Sequence, residues 1–203
     1  MDTAWGDPVN DVVPRWEWRA FAQEFREVET AFATTESTGA TESDEIYLLS
    51  PVCDANVKVR DAVLDIKTLV QVDAAGLEQW QPVLKGVFPL SLTDAKRACD
   101  ALGVPPPSAV QTAYSLAELV EELRAPVRGV RVLPVHKRRV RYRIRDCMSE
   151  ITDVLAEGRS TKTIALEAAD ARQLIDAVRA IGLAAFANTS YPRGLKRLIG
   201  MNG

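Results

Sequence analysis

Basic residues occupy every second position in a short stretch late in the chain. From Lys137 the sequence runs Lys-Arg-Arg-Val-Arg-Tyr-Arg-Ile-Arg. Alternate side chains of a β-strand point to the same face. One face would therefore carry Lys137, Arg139, Arg141, Arg143 and Arg145. Because like charges on one face repel each other, the pattern predicts either a solvated face or the lining of a site for a multiply charged anion.

Other predicted strands repeat this arrangement. Lys58 and Arg60 share a face, and so do Asp65 and Lys67. On an ordinary half-buried sheet such faces are the solvated side, but an open face normally mixes charges of both signs. Several strands rich in long cations favour a different arrangement, in which the sheet closes into a barrel and these faces line a cationic channel.

The acidic residues of these predicted strands are few. Glu17, Glu150 and Glu167 each lie on a predicted strand, and each alone is best explained as a surface residue or a local salt bridge. Together, beside a polyphosphate, they have the chemistry that a hard cation needs, because Mg²⁺ takes one or two carboxylates plus phosphate oxygens. Arginines would hold the remaining phosphate oxygens with bidentate contacts.

Composition limits the alternatives. The chain has 203 residues, 47% hydrophobic and 26% charged, which predicts one globular domain over residues 1–203. The formal net charge is −3, so the basic stretch is a local feature and a generic nucleic-acid coat is not favoured.

Targeting signals are not predicted. No apolar run approaches the roughly 20 residues of a membrane span, and the first residues lack the basic and apolar regions of a signal peptide. The three cysteines are widely spaced and odd in number, which indicates reduced thiols and a cytoplasmic location. His136 is the only histidine, so a metal would rely on carboxylate oxygens, which favours Mg²⁺ or Mn²⁺.

Strand patterns dominate the chain. Residues 15–21 alternate with Trp16 and Trp18 toward a core. Further strands are predicted over 46–49, 57–63, 64–72, 130–144, 147–155 and 161–167. Residues 1–13 and 33–45 are predicted to be flexible. Without regular strand-helix alternation, the order favours an antiparallel α+β fold.

Helices are predicted between the groups of strands. A short helix is predicted over 23–32, and capping boxes at Ser91 and Ser115 open two more. Asp170 caps a fourth, which ends at Gly182. The tail is expected to end in a short helix with three cations, Arg193, Lys196 and Arg197. A solvated helix face is the favoured prediction for them, and covering one mouth of a barrel is the alternative.

Over residues 14–198 the sequence resembles the CYTH-domain family, the triphosphate tunnel metalloenzymes. The stretch Arg15-Trp16-Glu17-Trp18-Arg19 corresponds to its N-terminal Glu-x-Glu-x-Lys strand. Other features follow in the same order: Lys58, Arg60 and Lys67; Lys137, Arg139 and Tyr142; Glu150 and Asp153; and Glu167, Gly182 and Ser190-Tyr191. Arg15 and Arg19 replace the first Glu and the Lys of the hallmark, and the late strand carries one acid, Glu167, where the family has two.

This resemblance implies a closed antiparallel β-barrel with flanking helices, and a triphosphate bound inside it with Mg²⁺ or Mn²⁺. Glu17, Glu150 and Glu167 would hold the metal, and Glu17 and Glu167 are the predicted catalytic residues. The predicted phosphate-binding residues are Arg19, Lys58, Arg60, Lys67, Lys137, Arg139, Arg141 and Arg143.

Three functions are open at this point. The first is metal-dependent hydrolysis of inorganic triphosphate, polyphosphate or an organic triphosphate, with class IV adenylyl cyclase activity as a variant within the same family. The second is polyphosphate binding without catalysis, favoured by the thinned acidic cluster. The third is single-stranded nucleic-acid binding on an open sheet face, disfavoured because Tyr142 lies opposite the basic face and cannot interleave with it. The expected partner is a small polyanion rather than a membrane, and a homodimer is left open.

Overall fold

Eight antiparallel strands form a closed barrel in the computed structural model, which describes residues 13–107 and 111–201. The barrel strands are β1 Arg15–Ala22, β2 Gly39–Leu49, β3 Asn56–Arg60, β4 Val63–Val72, β5 Glu78–Val87, β8 Arg131–Ile144, β9 Cys147–Ala156 and β10 Arg159–Ala168. Around the barrel the order is β1-β10-β9-β8-β2-β3-β4-β5, and β5 pairs again with β1. The prediction of a closed antiparallel barrel with flanking helices is confirmed.

Five helices and a two-stranded sheet flank the barrel. The helices are α1 Glu27–Ala33, α2 Leu92–Leu102, α3 Leu116–Arg124, α4 Ala171–Ala180 and α5 Tyr191–Ile199, and the small sheet pairs β6 Leu90–Ser91 with β7 Ala113–Tyr114. Both predicted capping boxes begin helices: the Ser91 hydroxyl accepts from the Asp94 N–H, and Ser115 and Glu118 cap each other. Asp170 caps α4 as predicted, accepting from the Gln173 N–H.

The outer faces of the strands pack against these helices in two hydrophobic clusters. One joins β2 to β5 with α2 and α3, around Leu64 and Leu102. The other joins β1 and β10 with α1 and α4, and contains Trp18 with Trp16 packed beside it. Apolar residues therefore cover the outside of the barrel, and the alternate, largely charged residues face its interior.

Helix α5 closes one end of the barrel. Inward-facing apolar side chains of β2, β8 and β9 pack there against Tyr191 and Leu195 of α5. Lys196 is buried and donates to the Cys53 carbonyl and to Asp54, both at 2.7 Å, while Arg193 pairs with Glu78. The predicted solvated face is wrong for Arg193 and Lys196, because Asn188 and Thr189 bond along β1 and direct the helix across the opening. Arg197 is exposed, as predicted.

Several predicted boundaries need correction. Of the predicted flexible segments, residues 1–12 lie outside the described residues, and the loop over 33–45 is shorter because β2 begins at Gly39. The predicted helix over 23–32 begins only at Glu27. Strand β5 was not predicted, since Pro82 and Gly86 interrupt its sequence pattern and the β4–β5 pairing contains register shifts.

Tight turns explain two further differences. Asp61 and Ala62 both have positive φ between β3 and β4, as do Arg145 and Asp146 between β8 and β9. Such two-residue turns match the twist of a hairpin but usually contain Gly or Asn. Their sequences therefore gave no turn signal, and Arg145 lies in a turn rather than on the predicted basic face.

A substitution at Gly194 tests whether α5 packs closely against the end of the barrel. A Cβ at this position would overlap the ring of Phe21, so we expect Gly194→Ala to lower the free energy of unfolding by about 1–3 kcal/mol. Urea denaturation provides the measurement. Adding Phe21→Leu to the alanine variant should restore part of the loss, and an unchanged stability for Gly194→Ala alone would contradict this packing.

Candidate anion-binding site

Basic side chains and carboxylates share the barrel interior in the described part of the chain. The basic residues include Arg19, Lys58, Arg60, Lys67, Lys137, Arg139 and Arg141; the acids include Glu17, Glu45, Asp65, Glu78, Glu150 and Glu167. Every barrel strand contributes at least one charged residue to this face. The interior is therefore a dense network of both signs, more acidic than the sequence pattern indicated, with cations in excess.

Glu45 is the centre of the largest group of ion pairs. Its side chain is fully buried and accepts from Lys137 at 2.8 Å and Lys58 at 3.2 Å, with Arg60 and Arg139 at 3.6 and 3.9 Å. Burial alone would raise the pKa of this carboxyl, but the surrounding cations lower it well below its usual range. Glu45 is therefore ionised and fixes four cations from two strands, β3 and β8.

Glu150 holds two arginines on the other side of the interior. Its two oxygens lie 3.0 Å from Arg19 Nη1 and 3.0 Å from Arg139 Nε. Burial opposes ionisation here too, but Arg19 and Arg139 lower the pKa of Glu150 to about 2. Arg19 also donates from Nε to Glu17 at 2.8 Å, so one guanidinium connects two carboxylates.

Glu17 and Glu167 are directly opposed on β1 and β10. Burial and the charge of Glu17 raise the pKa of Glu167, although Lys67 opposes them. Burial also disfavours the charge of Glu17, but Arg19 and Lys67 lower its pKa. Glu167 therefore takes up a proton more readily than Glu17, and Lys67 lies close enough to interact electrostatically with both.

Lys137 is enclosed at the end of the barrel that α5 closes. Its ammonium donates to Glu45 and to the Tyr47 hydroxyl at 2.6 Å, and lies 3.9 Å from the centre of the Tyr191 ring. Burial and the neighbouring Lys58 lower the pKa of Lys137 well below its usual range. With no exposed surface, this lysine supports the network rather than facing the opening.

The remaining predicted phosphate ligands lie toward the open end. Arg60 is 38% exposed, and Arg141 faces Glu150 across the ladder. Neither Arg141 nor Lys67 forms an ion pair within 4 Å among the residues that the structure describes. Arg143 is exposed and donates to the Asp146 carbonyl, so it lies apart from the clustered residues.

The predicted metal ligands lie in different surroundings. Within 13–107 and 111–201 no group of three or more His, Cys, Asp or Glu is arranged to hold a metal ion, and the three-residue site of Glu17, Glu150 and Glu167 stays a prediction. Glu150 is occupied by two arginines. Glu17 and Glu167 remain, and two carboxylates suit Mg²⁺ that also takes phosphate oxygens. The donor set therefore fits a cation bound jointly with a phosphate ligand.

Three residues of the network were missed from the sequence. Glu45 fell in the stretch predicted as a loop, and Tyr47 was included only as part of a short strand. Glu78 belongs to the unpredicted strand β5. The alternation of Glu45, Tyr47 and Leu49, all inward-facing in the structure, is the pattern that could have revealed the first two.

Comparison with known proteins finds a similar fold among solved structures. No family model matches the chain, and neither does any curated protein. Among solved structures, the chain is similar to the Hippeastrum protein HpAC1, described as having a dominant triphosphatase activity, with 8% identity, a TM-score of 0.50 and coverage of 93% of this chain and 97% of that one. At this identity the likeness concerns the fold alone.

Two more distant structures also match over most of their length. A conserved hypothetical protein from Pyrococcus furiosus shares 12% identity at a TM-score of 0.44, covering 93% of this chain and 91% of that chain. An adenylate cyclase candidate from Bacillus halodurans shares 10% identity at a TM-score of 0.47, with 92% and 98% covered.

Two other expectations concern nucleic acid and membranes. Lys137 and Arg139 face the barrel interior, so strand β8 does not present the open basic face that single-stranded nucleic acid would need. No helix in the described part of the chain is long and apolar enough to span a membrane.

Substitution of Glu45 tests the charged network. Glu45→Gln keeps the shape but leaves Lys58 and Lys137 facing each other without a carboxylate, so we expect the free energy of unfolding to fall by about 3 kcal/mol or more. Chemical denaturation measures it, with exposed Glu36→Gln as the matched control. Equal stability of the two variants would show that the network does not depend on Glu45.

Proposed function

We propose that this protein binds triphosphate or polyphosphate anions inside its barrel and hydrolyses them with a divalent cation. The observation that carries the proposal is the excess of basic side chains in a closed interior, where Lys67 and Arg141 lack close ion-pair partners in the described chain. Low dielectric strengthens attraction for an anion there. The resemblance of the sequence to the CYTH family supports the same ligand class.

Phosphate oxygens would be held by Arg19, Lys58, Arg60, Lys67, Arg139 and Arg141. Arginines suit this role because their planar donors contact two oxygens at once. Lys137 would act indirectly by holding Glu45 and Tyr47, and Arg143 would contact only ligand that extends beyond the opening.

Glu17 and Glu167 would hold Mg²⁺ or Mn²⁺ together with the phosphate chain. A bound divalent cation supplies Lewis-acid stabilisation of the phosphoryl group and lowers the pKa of a bound water. The protein's own residues would orient the phosphates: Arg19, fixed by Glu17 and Glu150, and Arg139, fixed by Glu150, are held in place before a ligand arrives.

Arg141→Ala tests anion binding. We expect the affinity for inorganic triphosphate to fall about 10-fold to 100-fold, because a hydrogen bond to a charged group contributes about 1.5–3 kcal/mol. Calorimetry measures the dissociation constant at fixed salt. Arg138→Ala is the matched control, since Arg138 is exposed on the same strand and points to the opposite face; equal effects of both changes would argue against an interior site.

Phosphate release tests hydrolysis. With Mg²⁺ or Mn²⁺, the unaltered protein should release phosphate from triphosphate, and Glu17→Ala with Glu167→Ala should abolish the release. Exposed Glu24→Ala with Glu36→Ala serves as the control. Activity that survives loss of both Glu17 and Glu167 would remove these residues from the reaction.

Binding without catalysis is the second candidate. It is favoured by Glu150, which is occupied by two arginines and so leaves only two carboxylates for a metal. This candidate predicts tight triphosphate binding in EDTA with no phosphate release under any divalent cation, whereas loss of binding in EDTA would favour the metal-dependent enzyme.

A further inference from the structure

The barrel has one closed end. The apolar side chains that line that end pack against Tyr191 and Leu195, and α5 is held at two points, by Arg193 to Glu78 and by Lys196 to Asp54. A ligand that reaches the basic interior therefore enters from the opposite end and stops at α5.

Several polar atoms beside this closed end have no hydrogen-bond partner among the described residues. Besides Ser190 Oγ and Arg193 Nε, they include Thr152 Oγ1, the Tyr191 hydroxyl and Arg139 Nε, all buried from solvent. Thr152 is 0% exposed and Tyr191 is 4% exposed. Arg139 Nε does lie near Glu150, at 3.0 Å, but not in hydrogen-bonding geometry. Buried polar groups left unpaired cost free energy, so these atoms call for a ligand.

The groups on Thr152, Tyr191 and Arg139 face one region. Arg139 and Thr152 are directly opposite each other in the β8–β9 ladder and share the inward face. The ring of Tyr191 lies between Lys137 Nζ, at 3.9 Å, and Arg19 Cζ, at 4.5 Å, and its hydroxyl interacts electrostatically with Arg139 and Glu150. The unpaired groups thus surround the innermost part of the charged network.

The chemistry of this region suits the end of a phosphate chain. Two hydroxyls and a guanidinium are hydrogen-bond donors, and a terminal phosphoryl group offers three acceptor oxygens. Glu45 and Glu150 also lie here and would repel an anion, but Arg19, Arg139 and Lys137 surround them. A buried water could pair with the same atoms, but it would leave the cations further along the interior without a ligand.

We propose that the barrel takes its anion end first, with an unesterified terminal phosphoryl group bound by Thr152 and Tyr191. This inference rests on the proposed function and narrows its substrate class. Inorganic triphosphate, linear polyphosphate and nucleoside triphosphates have such an end. Phosphate chains esterified at both ends, and cyclic phosphates, have none and cannot reach the closed end.

Calorimetry with defined ligands in EDTA tests the substrate class, since it measures binding without turnover. Inorganic triphosphate and ATP should bind, whereas diadenosine triphosphate and cyclic trimetaphosphate should bind at least about 100-fold more weakly. ATP that binds as well as triphosphate would place the organic group at the open end. Diadenosine triphosphate bound as tightly as ATP would overturn end-first entry.

Two isosteric variants test the residues. Thr152→Val and Tyr191→Phe each remove one hydroxyl, and each should weaken triphosphate binding about 10-fold or more, as expected for a hydrogen bond to a charged group. Stability in the absence of ligand should stay unchanged or rise, because an unpaired buried hydroxyl has been removed. Tyr142→Phe is the control, since Tyr142 packs on the outer face against Phe32.

The outcomes separate the two proposals. If triphosphate binds the unaltered protein neither in EDTA nor with Mg²⁺ or Mn²⁺, the proposed function fails and this inference fails with it. If triphosphate binds but both hydroxyl variants keep full affinity, the proposed function stands and end-first binding is overturned. The region beside Thr152 and Tyr191 would then hold only water.

Discussion

The need to pair charges that have been removed from water governs this structure. Closing the sheet turns the polar face of its eight strands inward, where an uncompensated charge costs several kcal/mol. Glu45 compensates more of these charges than any other acid in the described chain. Its buried carboxylate lies within 4 Å of four cations: Lys58, Arg60, Lys137 and Arg139. This one side chain on β2 therefore links β3 and β8, in addition to the backbone pairing of these strands.

A second constraint comes from the arginines on β1 and β8. Arg19 and Arg139 share Glu150, and Arg19 also binds Glu17. Each guanidinium is thereby held in one orientation by carboxylates on two sides. Because these side chains are already ordered, less conformational entropy is lost when a ligand binds. The carboxylates that order them, Glu17 and Glu150, would by their own charge repel an anion.

The sequence predicted the barrel because alternation is a property of the strand itself: Lys58 and Arg60, or Lys137 and Arg139, must share a face wherever the strand lies. It predicted Glu17, Arg19 and Glu167 as neighbours only through a family resemblance, and the register of β1 and β10 places Glu17 opposite Glu167. It did not predict Glu45, because the Thr- and Ser-rich residues before it lack the apolar alternation of a strand. Pairing with β8 rather than local propensity makes them extended.

The contacts of α5 also lay beyond sequence analysis. Lys196 and Arg193 look like ordinary solvated cations, and their burial depends on Asp54 and Glu78, which are distant in the chain. Because α5 blocks one end, a ligand enters and leaves the barrel through the same opening. Molecules inside it therefore leave in the reverse of the order in which they entered. Under the proposed hydrolysis, a fragment formed at the closed end would stay behind any longer fragment nearer the opening until that one had left.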